Sequence, residues 1–262
     1  MIPTNIKKER LYEDNYNYQG CLMKIIEYNK AIDIVVEFQD NYKAKVHTEY
    51  SNFLKGQVKN PYYPSVHGVG ILGIKYPPSL NGKITKEYKA WISMLNRCFK
   101  KEYKNKYPTY IEVTCCNEWL IYENFYEWLH SQPNFDKWLK DDKRWCLDKD
   151  IIIKGNTIYS PNTCCLVPEN VNNLFIKPKR NKKTLPIGVG ICGNKYKARY
   201  NNPNTNKVEH LGVYSTPEEA FFAYKSAKEN HIKQMAQKEY DEDNITIQCY
   251  NAMINYKVEI TD

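Results

Sequence analysis

The chain has no stretch approaching the ~18 consecutive apolar residues that a membrane span requires. Its opening segment, Met1–Tyr18, is polar and holds no apolar core of the kind a secretory leader carries. No segment reads as a membrane span, and the expectation is a cytoplasmic protein. Nine cysteines are present, yet none falls in C-x-x-C spacing, and Cys115-Cys116 and Cys164-Cys165 are vicinal, which suits a disulfide scaffold poorly. Reduced, buried thiols are the plain reading. A metal site drawing on Cys98, Cys115 or Cys116, Cys146 and Cys164 or Cys165 is the alternative. Histidine is scarce: the five are His47, His67, His130, His210 and His231, and none lies between Trp145 and Phe175.

Aromatic residues, by contrast, are abundant. They make up 14% of the chain, 23 of them tyrosine, whereas a disordered chain is poor in aromatics. At 262 residues the chain is long enough for one large domain or two to three small ones. Its 38 basic and 30 acidic residues leave a formal net charge of +8, and the charge is unevenly spread. Between Ile176 and His210 stand nine basic residues, including Lys177, Lys179, Arg180, Lys182, Lys183, Lys195, Lys197 and Arg199, against one acid, Glu209. Concentrated positive charge of this kind is the footprint of a polyanion partner.

Before that segment, residues 1–19 read as a polar arm. Residues 20–75 read as a small antiparallel β module: Leu22 to Tyr28 and Ile34 to Phe38 alternate or are β-branched, and Asp40-Asn41 turns the chain into Tyr42 to Tyr50. Gly68-Val69-Gly70-Ile71-Leu72-Gly73 echoes Gly188-Val189-Gly190-Ile191-Cys192-Gly193, which reads as a shared turn or bulge and not as a duplicated domain. Thr85 to Lys100 is predicted helical behind a Thr85 cap, with Tyr88, Trp91, Ile92, Leu95, Cys98 and Phe99 on one stripe. A second helix is predicted over Asn117 to His130, its aromatics assigned to core.

The segment Ile187 to Ala227 specifies a unit by itself. In Tyr196–Asn201 the alternation puts Tyr196, Ala198 and Tyr200 on a packing face and Lys197, Arg199 and Asn201 on a charged one. Asn201-Asn202-Pro203-Asn204 reverses the chain, and Val208 to Tyr214 returns antiparallel, with Leu211 and Val213 expected in the core and His210 on the charged face. Thr216, Pro217 and Glu219 then suit an N-cap, a first helical position and the reciprocal half of a capping box. The runs GVG, YKARY, HLGVYSTPEEA and AYKSA resemble the ethylene-response-factor (Apetala) type of DNA-binding domain. That resemblance implies a three-stranded sheet whose exposed face enters the major groove of double-stranded DNA, with contacts from Lys195, Lys197, Arg199, Asn201 and His210. A single Arg in the second strand and His210 where Trp is common depart from the family pattern.

Trp145 to Phe175 reads strand, turn at Gly155-Asn156, strand Thr163 to Val167, then a short helix from Glu169. This order resembles the HNH, or ββα-metal, nuclease finger of phage and mobile-element endonucleases. The resemblance implies metal-assisted phosphodiester hydrolysis with Mg²⁺ or another divalent metal. Asp148 falls at the carboxylate position and Asn172, or its neighbours Asn170 and Asn173, at the helical ligand position. Lys149 stands where the general-base His belongs, and a solvated Lys, protonated at neutral pH, does not accept a proton from water. Asp150 shares a face with Asp148 if the strand continues, as base or second ligand. Lys179, Arg180, Lys182 and Lys183 form a basic connector suited to phosphates.

The sequence therefore predicts an α+β protein: β module 20–75, helical segment with finger 83–175, basic linker 176–184, Apetala-type domain 185–240 and extension 241–262, the last with a possible strand pair at Ile245–Tyr250 and Tyr256–Ile260. The expected function is a DNA-binding protein of phage or mobile-element type acting as a homing-type endonuclease in a bacterial or phage-infected cell. The alternative is a regulator or anti-defence protein of the same origin with an inactive finger.

Overall fold

A computed structural model describes residues 9–141, 144–176, 185–202 and 207–260. The protein is α+β and divides into two compact units, the first running to Lys101 and including Asn117–Tyr126, the second formed by Glu102–Cys116 and the chain from Glu127.

In the first unit, β1 (Asp14–Tyr16), β2 (Leu22–Lys30), β3 (Asp33–Phe38) and β4 (Lys45–Thr48) make an antiparallel sheet in sequential order. Alternation along β2 and β3 buries Met23, Ile25, Tyr28, Ile34, Val36 and Phe38 against Phe53 of helix α1 (Tyr50–Leu54) and Val58. The polar arm expected over residues 1–19 is corrected from residue 14 on, its first eight residues lying outside the described ones. Asp14–Tyr16 pairs with β2, and Asn17 is buried, donating from Nδ2 to Val58 O at 2.9 Å. Polarity misled because an edge strand buries one side chain in two at most. The hairpin β5 (Ser79–Leu80) to β6 (Lys83–Ile84) turns at Asn81-Gly82, both at positive φ (51° and 74°), the conformation a two-residue primed turn demands.

Helix α2 (Lys86–Phe99) starts as predicted: the Thr85 side chain accepts from Tyr88 N. It buries Trp91, Met94, Leu95 and Cys98, and Trp91 Nε1 donates to Trp119 O at 2.8 Å. Asn117–Leu120 is a 3-10 turn, and helix α3 spans Tyr122–His130, so the predicted second helix is two pieces. Buried Glu123 ties the preceding loop to α3, accepting from Ile74 N and Lys75 N at 2.7 Å and from the Tyr62 hydroxyl. The two glycine-rich hexamers share a turn as expected, Gly68 and Gly188 having φ of 74° and 77°, and Gly73 and Gly193 78° and 58°.

The second unit holds the two regions that carry the candidate chemistry. β8 (Trp145–Asp148) pairs antiparallel with β10 (Cys165–Pro168), Asp148 lying opposite Cys165, and helix α5 (Glu169–Asn173) packs on both. Between the two strands, β9 (Ile158–Tyr159) pairs in parallel with β7 (Thr114–Cys115). β11 (Val189–Cys192), β12 (Lys195–Asn202) and β13 (Lys207–Tyr214) form a sequential antiparallel sheet. Helix α6 (Pro217–Asp241) follows, with the predicted capping box complete: Thr216 accepts from Glu219 N, and Glu219 accepts from Thr216 N.

Two features depart from the sequence reading. Residues 185–240 are not separable from the finger, because α6 serves both regions. Its first half supplies Phe221 and Tyr224 to a cluster with Ile187, Tyr200 and Val258, while Ile232, Met235 and Ala236 enter the finger's cluster with Ile151, Cys165, Val167, Val171 and Leu174. At 1.5 Å per residue the 25-residue helix is about 37 Å long, enough for both cores. The predicted strand at Ile245–Tyr250 is instead helix α7 (Ile247–Ile254), capped by Thr246, which accepts from Cys249 N. Ile245, Cys249 and Met253 recur every four residues and fill the finger's core, so burial at helical spacing overrode the β-branched run.

Candidate nucleic-acid interface

The register of the C-terminal sheet decides which side chains share a face, since directly paired residues point the same way. Cys192 pairs with Lys195, Gly190 with Lys197 and Lys197 with Val213; Arg199 pairs with His210 and Asn201 with Val208. The five residues predicted from sequence, Lys195, Lys197, Arg199, Asn201 and His210, thus stand together on the face away from α6. Ala198 and Tyr200 pack inward against the helix.

The pairing shifts between Ala198, opposite Gly212, and Arg199, opposite His210. Leu211 is therefore the extra residue of a β-bulge and packs against the α6 cluster. Beyond the bulge the faces swap, so Val213, predicted to be core, lies on the outer face beside Lys197 and is 44% exposed. Simple alternation does not anticipate a bulge. Its one sequence signal is Gly212, whose φ of 130° is open to glycine and costly for other residues.

The side chains of Lys195, Lys197, Arg199 and His210 have no ion-pair or hydrogen-bond partner among the described residues. The one acid of the hairpin, Glu209, points to the other side and accepts from Asn202 Nδ2 at 2.6 Å. Gly190, which the sequence reading did not single out, lies in the middle of the outer face. A Cβ there would stand 3.5 Å from both Lys197 Cε and an Arg199 guanidinium nitrogen, so its absence leaves a low spot between two cations. The connector residues Lys179, Arg180, Lys182 and Lys183 lie outside the described residues.

Beneath the sheet, His231 is buried 5.7 Å from the Tyr200 ring, and burial holds its imidazole below the ordinary value. A groove of about 560 Å³ is bordered by Asn173 of the finger helix together with Arg199, Asn201 and Lys228.

The finger's polar groups are arranged differently. β8 ends at Asp148, and the chain folds back over its carboxylate: Asp148 Oδ1 accepts from Asp150 N and Ile151 N, both at 2.8 Å. The strand does not continue through Asp150, so the condition for Asp150 to share a strand face with Asp148 is not met, the turn-forming carboxylate having ended it. Lys149 Nζ donates to Asp150 Oδ2 at 3.2 Å and to Asn156 O at 3.1 Å. Asn156 Nδ2 in turn donates to the carbonyls of Lys149 and Ile158, both at 2.7 Å.

Burial, then the neighbouring Asp150 charge, pushes the Asp148 carboxyl up to about 6, against the pull of its two N–H donors. Among the helical candidates, Asn170 is committed to structure, donating to the buried Glu239 at 2.9 Å. The side chains of Asn172 and Asn173 have no hydrogen-bond partner among the described residues. All nine cysteines are free thiols, and Cys98, Cys115, Cys164, Cys165 and Cys249 are buried. No three His, Cys, Asp or Glu side chains among the described residues gather into a metal-binding group, so the alternative cysteine site is not assembled there. Among the described residues no helix is long and apolar enough to cross a membrane.

The chain matches no protein-family model, no curated protein and no solved structure.

Proposed function

We propose that this chain binds double-stranded DNA through the outer face of its C-terminal sheet. One observation carries the reading. Lys195, Lys197 and Arg199 share that face with Asn201 and His210, and none of the cations has a partner among the described residues, while the packing face holds the hairpin's acid. Leaving three cations unneutralised on a small sheet gains nothing for the fold and supplies the long-range attraction that a phosphate backbone answers. Arg199 and His210, paired across the strands, project together and suit base-edge contacts; Lys195 and Lys197, nearer the turn, suit phosphates. Salt-titrated binding to duplex DNA, comparing the chain with its Lys195→Gln/Lys197→Gln variant, tests this. With both assigned phosphate contacts removed, the variant should lose about two contacts' worth of salt slope, roughly 0.9 each; an unchanged slope argues against the sheet.

A second reading, a metal-dependent nuclease, draws on the Asp148 carboxyl, which titrates near 6 beside Asp150. Asp148 Oδ2 and the Asn172 side chain are the groups that would hold a divalent ion. A Mg²⁺-type ion takes one or two protein carboxylates and completes its shell with water and substrate phosphate, which the sparse donor set suits. When bound, such an ion would polarise the scissile phosphate and acidify a water. Lys149 does not act as the base in this arrangement, because its ammonium is paired with Asp150. Incubating supercoiled plasmid with Mg²⁺ or Mn²⁺ separates the readings: nicked product that disappears in Asp148→Ala supports cleavage, and intact plasmid with a retained mobility shift supports a non-cutting DNA-binding protein.

A further inference from the structure

We infer that helix α2 in the first unit is a second contact surface for the phosphate backbone of duplex DNA; the inference rests on the DNA-binding reading above. From Lys83 to Lys101 the chain carries six basic residues, Lys83, Lys86, Lys89, Arg97, Lys100 and Lys101, against one acid. That acid, Glu87, is buried on the core side of α2 with Trp91, Met94, Leu95 and Cys98. The opposite side carries exposed Lys89 and Ser93, with half-buried Lys86 and Arg97 along its edge and exposed Lys100 just past the end. Steps of three and four residues keep these on one stripe. Over 14 residues the stripe runs about 21 Å.

At the start of the helix the placement is not what helix stability favours, whereas Arg97 and Lys100 at its end are placed as the macrodipole prefers. Lys86 and Lys89 sit in the first turns, where the macrodipole disfavours cations. Lys83 adds a further cation from the hairpin immediately before the helix. Exposed Lys83, Lys89 and Lys100 have no ion-pair partner among the described residues. Positive charge laid along one helix face, with its single carboxylate turned into the core, complements a partner whose negative charge is continuous along its length, as it is on a duplex.

The test uses the full chain carrying Lys83→Gln, Lys89→Gln and Lys100→Gln, titrated against a duplex of arbitrary sequence over a range of salt. The slope of log affinity against log salt should fall by about 2.7, three contacts at about 0.9 each. The corresponding Lys→Arg triple variant should keep the wild-type slope, and Arg199→Ala should still alter sequence preference in the stripe variant. An unchanged slope in a variant with wild-type thermal melting overturns the inference while leaving the sheet reading intact. A wild-type chain that binds no duplex overturns both. Binding to poly-glutamate as tight as to duplex, lost in the stripe variant, would transfer the surface to an acidic protein partner and likewise overturn the inference.

Discussion

The outer face of the C-terminal sheet and the turn of the finger share Lys, Asn and Gly on short strands, and use them oppositely. On the sheet, Lys197 and Arg199 stand across from Gly190, Val213 and His210, and no carboxylate of the hairpin answers them. In the finger, Lys149 is bound to Asp150 and Asn156, and Asp148 holds two backbone N–H groups. Polar groups satisfied by their own chain stabilise a fold. Those left without partners are available to something else, and on this criterion the sheet is the stronger candidate for function.

The largest expected effect lies in the finger. Asp148→Asn keeps an oxygen that accepts from Asp150 N and Ile151 N, and it removes the cost of burying a charge beside Asp150. For a carboxyl raised from its ordinary value to about 6, the variant should be more stable than wild type by ~2–3 kcal/mol at pH 8, measured by denaturant unfolding. Arg199→Gln should change stability by less than about 0.5 kcal/mol, having no partner to lose. A destabilised Asp148→Asn would mean that the charge itself holds the turn, and the contrast between the two regions would fail.

Acidification should also separate the regions, with opposite signs. Asp148 has a folded value above its unfolded one, so its contribution is fully present below about 4 and is lost as pH rises through about 6. His231 has a folded value below its unfolded one. Its contribution is present above about 6.5 and is lost as pH falls through the lowered folded value. Local opening energies from hydrogen exchange at pH 7 and pH 5 should therefore rise for β8 and β10 and fall for β12 and the middle of α6 around His231. A parallel change in both would contradict the assignment.

The smallest expected effect tests the low spot on the sheet. Gly190→Ala places a methyl in ordinary contact with Lys197 and Arg199, so melting should be nearly unchanged while duplex affinity falls. Equal affinity would show that no backbone approaches there.

Much of this contrast was legible in the sequence and some was not, for physical reasons. The strands of the C-terminal sheet and the start of α6 were readable because alternation, an Asn-Pro-Asn turn and a Thr-Pro-Glu-Glu cap are all local signals. Val213 was misplaced because one bulged residue, Leu211, reverses every face after it. The shared role of α6 was missed because apolar residues past Ala227, namely Ile232, Met235 and Ala236, announce a buried face without saying what covers it. Asp148 was found as a candidate, but its bonds to the N–H groups of Asp150 and Ile151 depend on a turn that residue type alone does not specify. The cationic stripe of α2 was present in the spacing of its lysines and was obscured by the longer basic run after Ile176.

The central claim, that the outer face of the sheet reads duplex DNA, is tested most directly by selection from a pool of randomised duplexes with the full chain and with Arg199→Ala. The account predicts a defined preferred sequence for the wild type, with one or two positions relaxed in the variant and affinity for the selected site reduced by about 1–3 kcal/mol. The same preference and affinity in both proteins would contradict it.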